Sequence, residues 1–130
     1  MRGIMKIFLA LCISMGCAYG KVVVFWQEAF PTLESQPVPQ VTLRQALEGL
    51  EPEFVNLDEL KKSETLRDAE LLVFPYGSAF PADAWGSVLN YLQSGGNLLV
   101  IGGRPFAVPV RKEAGQFIAA PTETAYSRLI

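Results

Sequence analysis

The chain has 130 residues, half of them apolar, with 11 Lys plus Arg against 13 Asp plus Glu for a formal charge of -2. This is the size of one ordinary domain. Histidine is absent and both cysteines, Cys12 and Cys17, lie within the first twenty residues, so a chain without that segment has no Cys or His nucleophile, no His base, no thiolate or imidazole metal site and no disulfide.

Arg2 and Lys6 make a short positive start, residues 7–15 are almost wholly apolar, and Ala18-Tyr19-Gly20 puts small residues at the two positions a signal peptidase inspects. Charge, apolar run and small residues in that order are the pattern of a secretory signal. The run is roughly half of the ~20 residues a bilayer span needs, so no permanent span is expected. Cleavage after Gly20 leaves Lys21 first and an exported chain, periplasmic or extracellular. The competing reading is a buried first strand or helix, but a second strand-like run follows at once from Val22. A cut before Cys17 would place a lipid on that cysteine; Ser14-Met15-Gly16 lacks the leucine usual at the first of those positions, which favours the cut after Gly20.

Loss of residues 1–20 takes Arg2 and Lys6 from the 11 basic residues, leaving 9 against 13 acidic ones, a charge of -4. Nucleic-acid binding by counterion release needs clustered Lys and Arg. The densest group here is Lys61-Lys62, so neither nucleic acid nor an anionic membrane surface is an expected partner. The remaining chain, about 110 residues, can bury roughly two thirds of its unfolded surface without staples.

Residues 21–26 (KVVVFW) read as a central strand buried on both faces. Pro31, Pro37 and Pro39 then mark 27–40 as a loop. Thr42 with Gln45 makes a candidate capping box for a first helix striped by Leu43, Ala46, Leu47 and Leu50. Residues 54–57 suggest a second strand and 58–62 a helical turn capped by Asp58. Residues 71–76 (LLVFPY) read as a third strand ended by Pro75 and the Gly77-Ser78 turn. Pro81 suits the first turn of a second helix, which carries Trp85, Val88, Leu89 and Leu92 on one face and stops at Gly95-Gly96. A fourth strand at 97–101 completes a strand-helix-strand unit of about 30 residues, the signature of a parallel sheet. Beyond Arg104, residues 106–110 and 116–119 could form a hairpin across 112–115, and Thr122 could cap a terminal helix with Ala125, Tyr126 and Leu129. Doubly wound sheets usually have about five strands, and only four are legible, which suggests a sheet truncated at the C-terminus or part of a larger architecture.

Residues 71–106, LLVFPYGSAFPADAWGSVLNYLQSGGNLLVIGGRPF, resemble the core of class I glutamine amidotransferase-like domains, and VVVFWQEAFPT resembles the opening of such modules at the front of exported bacterial glycoside-hydrolase-like proteins. The resemblance spans roughly residues 21–128. It implies a flavodoxin-like α/β fold with a doubly wound, mainly parallel sheet, and a role as an accessory or interaction module beside a carbohydrate-active domain or enzyme. Active members carry a cysteine on the turn after a strand, with His and Glu partners. Here the turn after the fourth strand reads Gly102-Gly103-Arg104, so the likeness implies a catalytically silent module with no cofactor.

Open parallel sheets bind ligands at the carboxyl ends of strands where the strand order reverses. In flavodoxin-like order this brings Gln27, Glu28, Tyr76, Gly77, Ser78 and Arg104 to one rim. Glu28 with Arg104 could hold a polar ligand, and Trp26 or Tyr76 could stack on a sugar face. The bland alternative makes Glu28 a solvated charge, Arg104 a loop tether and both aromatics core. Ser78 lacks the G-x-S-x-G elbow and any His to take its proton, which points to a turn or helix-capping role. Gly102-Gly103 matches neither G-x-G-x-x-G nor a Walker pattern, and the pairs Glu51 with Glu53 and Asp68 with Glu70 have the spacing of solvated edges. The competing functions are a small periplasmic binding protein and a Ser-dependent hydrolase using Glu28, Ser78 and Arg104.

Overall fold

The computed structural model describes residues 20–120. The leader segment through Tyr19 and the helix expected from Thr122 fall outside the described residues. In chain order the elements are β1 (Lys21–Phe25), α1 (Gln40–Ala46), β2 (Glu53–Val55), α2 (Leu57–Leu60), β3 (Ala69–Phe74), β4 (Ala79–Pro81), α3 (Trp85–Gln93), β5 (Asn97–Val100), β6 (Val108–Glu113) and β7 (Gln116–Ala119).

Alternation along β1 sends Val22 and Val24 to one face and Val23 and Phe25 to the other. Both pairs are buried, which makes β1 a central strand. It pairs in parallel with β2 on one side and β3 on the other, and β3 pairs in parallel with β5. The sheet is therefore fully parallel in the order β2-β1-β3-β5. This is the parallel α/β core that the apolar runs lead one to expect.

The face carrying Val23 and Phe25 holds the larger core, with Leu57 and Leu60 from α2, Leu66 from a short 3-10 turn, and Val88 and Tyr91 from α3. Phe25 meets the rings of Phe30, Tyr76 and Phe74 at 5.0, 5.4 and 5.9 Å. On the opposite face Val22, Val24 and Val73 pack with Leu43 of α1, and Leu47, Leu50, Leu71 and Ile101 border them.

The helix starts differ from expectation. Thr42 forms no side-chain cap; Pro39, in extended conformation, precedes α1, and its carbonyl accepts from the N–H groups of both Thr42 and Leu43. Ala46 of the expected apolar stripe is exposed. The cap of α2 is Asn56 rather than Asp58: Asn56 Oδ1 accepts from the Glu59 N–H at 2.9 Å, and Glu59 Oε1 accepts from the Asn56 N–H at 3.3 Å. Only the residue three before Glu59 can close this reciprocal pair. Asn56→Ala is expected to lower stability by about 1 kcal/mol, read as a drop in the urea midpoint.

α3 carries its apolar stripe inward through Val88, with Trp85, Leu89 and Leu92 half-buried. It ends at Gly95, whose φ of 93° lets the Gly96 N–H reach back to the Tyr91 carbonyl at 3.0 Å.

A second sheet follows, in the order β4-β6-β7. β6 and β7 form a hairpin, as expected, but its first strand starts at Val108 and runs on to Glu113, so Phe106 lies before it and the turn is Ala114-Gly115 alone, both at positive φ as a two-residue type I′ turn requires. β4 pairs in parallel with β6 and ends at Pro81, which therefore closes a strand and leads into a 3-10 turn before α3. The helix expected to start at Pro81 starts instead at Trp85.

Candidate functional site

The neighbours of β1 are β2 and β3, and the neighbours of β3 are β1 and β5. The order of the chain thus reverses between β1 and β3, and loops leaving their carboxyl ends part to either side. A cleft of about 580 Å³ opens there, walled by Trp26, Glu28, Phe30, Thr32, Val38 and Tyr76.

Its β1 rim is pinned. The Trp26 N–H donates to the Val55 carbonyl at 2.8 Å, and the Gln27 side-chain oxygen accepts from the Leu57 N–H at 2.9 Å. The Tyr76 hydroxyl accepts from the Gln27 N–H at 2.8 Å and donates to the Gln27 carbonyl at 3.1 Å. Burial pushes the Tyr76 phenol pKa up, and its bond to Gln27 only partly opposes this. The Trp26 ring lies 6.1 Å from that of Tyr76 and 6.5 Å from that of Phe54. Glu28 is exposed on a turn closed by the Phe30 N–H on the Gln27 carbonyl, with Ala29 at φ 64°. Its carboxylate makes no hydrogen bond or ion pair among the described residues.

Ser78 and Arg104 belong to a different cluster, completed by Glu34. The Ser78 hydroxyl, wholly buried, donates to Glu34 Oε2 at 2.6 Å and accepts from the Arg104 N–H at 2.7 Å. The Arg104 guanidinium grips the same carboxylate at both oxygens, at 2.6 and 3.1 Å. Gly77 joins the clamp through backbone alone: its N–H donates to the Ile101 carbonyl, and the Leu33 carbonyl accepts from the Ser78 N–H. Gly103 also packs against Ser78, so closely that a Cβ there would overlap the Ser78 N.

The residues expected on one rim therefore divide. Gln27, Glu28 and Tyr76 stand at the cleft with Trp26, whereas Ser78 and Arg104 tie the 33–35 loop to the turn after β5. Ser78 caps no helix. Glu34 was missed, and nothing local in the sequence singles it out, because its partner lies seventy positions away.

Arg104 first, and Ser78 second, hold the Glu34 carboxyl below the usual carboxylate range. A carboxylate made more acidic is a poorer base for Ser78, whose oxygen is buried and already bonded. The depressed pKa stabilises the fold above the unfolded value near 4.5, and this contribution is lost as pH falls through the folded value. Glu34→Gln is expected to flatten the acid limb of a stability-against-pH curve below about pH 4.5, by a small amount because the pair is exposed.

A second hollow of about 500 Å³, polar and bordered by Arg67, Glu70, Asn90 and Asn97, lies toward the amino ends of β3 and β5. Among the described residues no helix is long and apolar enough to cross a membrane, and no three Asp, Glu, His or Cys side chains gather as a metal site. Comparison with protein-family models, curated proteins and solved structures finds no match.

Proposed function

We propose that the protein is an exported, non-catalytic module of the amidotransferase-like, flavodoxin-like kind that binds a small carbohydrate-type ligand as an accessory to glycan processing. The observation that carries this reading is the cleft at the β1–β3 reversal, where Trp26 and Tyr76 form an aromatic wall beside the Glu28 carboxylate. Aromatic faces stack on the apolar side of a sugar ring while a few polar groups fix its orientation. The order β2-β1-β3-β5 agrees with the first positions of a flavodoxin-type sheet. The turn where an amidotransferase would carry its cysteine is Gly102-Gly103-Arg104, which packs on Ser35 and Ser78. Export agrees with a sheet whose first strand starts at Lys21, whose ammonium bonds the Thr65 carbonyl at 2.9 Å and Glu53 at 3.2 Å. Cleavage after Gly20 removes no residue of that strand.

The test is titration with a panel of mono- and disaccharides, followed through the NMR signal of the Trp26 indole N–H, together with assays for ammonia release from glutamine and for ester hydrolysis. The reading expects saturable shifts with at least one sugar and no turnover. Hydrolysis abolished by Ser78→Ala would replace it with the hydrolase reading; glutaminase turnover, or an indole signal indifferent to every sugar, would also end it. The exported product is expected to have the mass of a chain beginning at Lys21.

A further inference from the structure

We infer that the cleft between β1 and β3 selects a ligand with a protonated amine set beside an apolar face, an amino sugar in place of a neutral one. This rests on the binding reading above and sharpens it. The polar atoms of the floor are already used: the Tyr76 hydroxyl is held by the Gln27 backbone, and the Gln27 amide is spent on the Leu57 N–H and the Glu28 carbonyl. Among the polar groups left to a ligand is the Glu28 carboxylate, which accepts and cannot donate. Among the described residues no Lys or Arg lines the cleft. Two cations stand one ring removed from the wall and are engaged there: the Arg44 guanidinium lies 4.3 Å from the centre of the Phe54 ring, next to Trp26, and the Lys112 ammonium lies 5.9 Å from the centre of the Phe117 ring, next to Phe30.

A ligand lying over this wall strips water from Glu28. With a neutral guest the carboxylate is left without a counter-charge against aromatic rings, which is costly. An ammonium supplies that charge, and the Trp26 face adds cation–π attraction, strongest for an indole. The turn through Ala29, held in a left-handed conformation that alanine disfavours, sets the Glu28 backbone at the rim of the cleft.

The test compares glucose, glucosamine and choline by the Trp26 indole N–H shift at about pH 6, where aliphatic amines are protonated. Glucosamine is expected to bind at least about ten-fold more tightly than glucose, and Glu28→Gln to erase the difference while leaving the fold unchanged, as judged by the rest of the spectrum. Equal affinities for glucose and glucosamine, or a preference that survives Glu28→Gln, would overturn the inference and leave the carbohydrate reading standing. Binding of choline with neither sugar would overturn both the amino-sugar inference and the carbohydrate reading. Silence toward all three would overturn the inference.

Discussion

Gly77→Ala is expected to destabilise the protein by about 2–5 kcal/mol, enough to shift the urea midpoint by a molar unit or more. Two costs combine. Gly77 has φ 64°, a conformation that an L side chain adopts at a penalty of about 1–2 kcal/mol. A Cβ at this site would also strike the Leu33 carbonyl, a backbone atom with no flexible end to move aside. The contact it would break is the bridge between Leu33 and Gly77, which holds down the loop carrying Thr32 and Val38 over the cleft. Gly49→Ala is the matched control. Its φ of 88° imposes the same kind of conformational cost, but nothing lies within 4 Å of a new Cβ. Equal losses for the two variants would show that the close approach to Leu33 contributes nothing.

Phe25→Ala should cost about 3–5 kcal/mol, against a total of about 5–15 kcal/mol for an ordinary domain. Phe25 is fully buried and touches three other rings, so its removal leaves a hole between β1, β3 and the 27–39 loop. Two of those rings, Phe30 and Tyr76, wall the cleft. The same variant should therefore blur the Trp26 indole signal under native conditions. A small loss of stability with an unchanged indole line would mean that the aromatic cluster closes over the gap.

The parallel sheet was legible because KVVVF and the other strand runs are short, apolar and bounded by breakers, and α3 was legible because Val88 and its neighbours recur at helical spacing before two glycines. Caps were less so. Thr42, Asp58 and Asn56 are all plausible caps by composition, and only backbone geometry chooses among them. The three-residue β4 was invisible, since Pro81 reads as a helix start until β6 arrives some thirty positions later to pair with it. The cleft followed from the flavodoxin-like strand order that the resemblance implies, since the strand-helix-strand unit by itself only sets β3 beside β5. The sorting of its rim residues did not, because Arg104 is drawn from the cleft by Glu34 through a contact between remote positions. Ionic partners at such separations leave no periodic trace in a single sequence.

The hairpin tip at Ala114-Gly115 is exposed, and a Cβ at Gly115 would meet nothing within 4 Å. It is consequently the natural place to graft a spectroscopic label or an affinity tag. A handle attached there would let the protein be immobilised or tracked through residues that do not line the cleft.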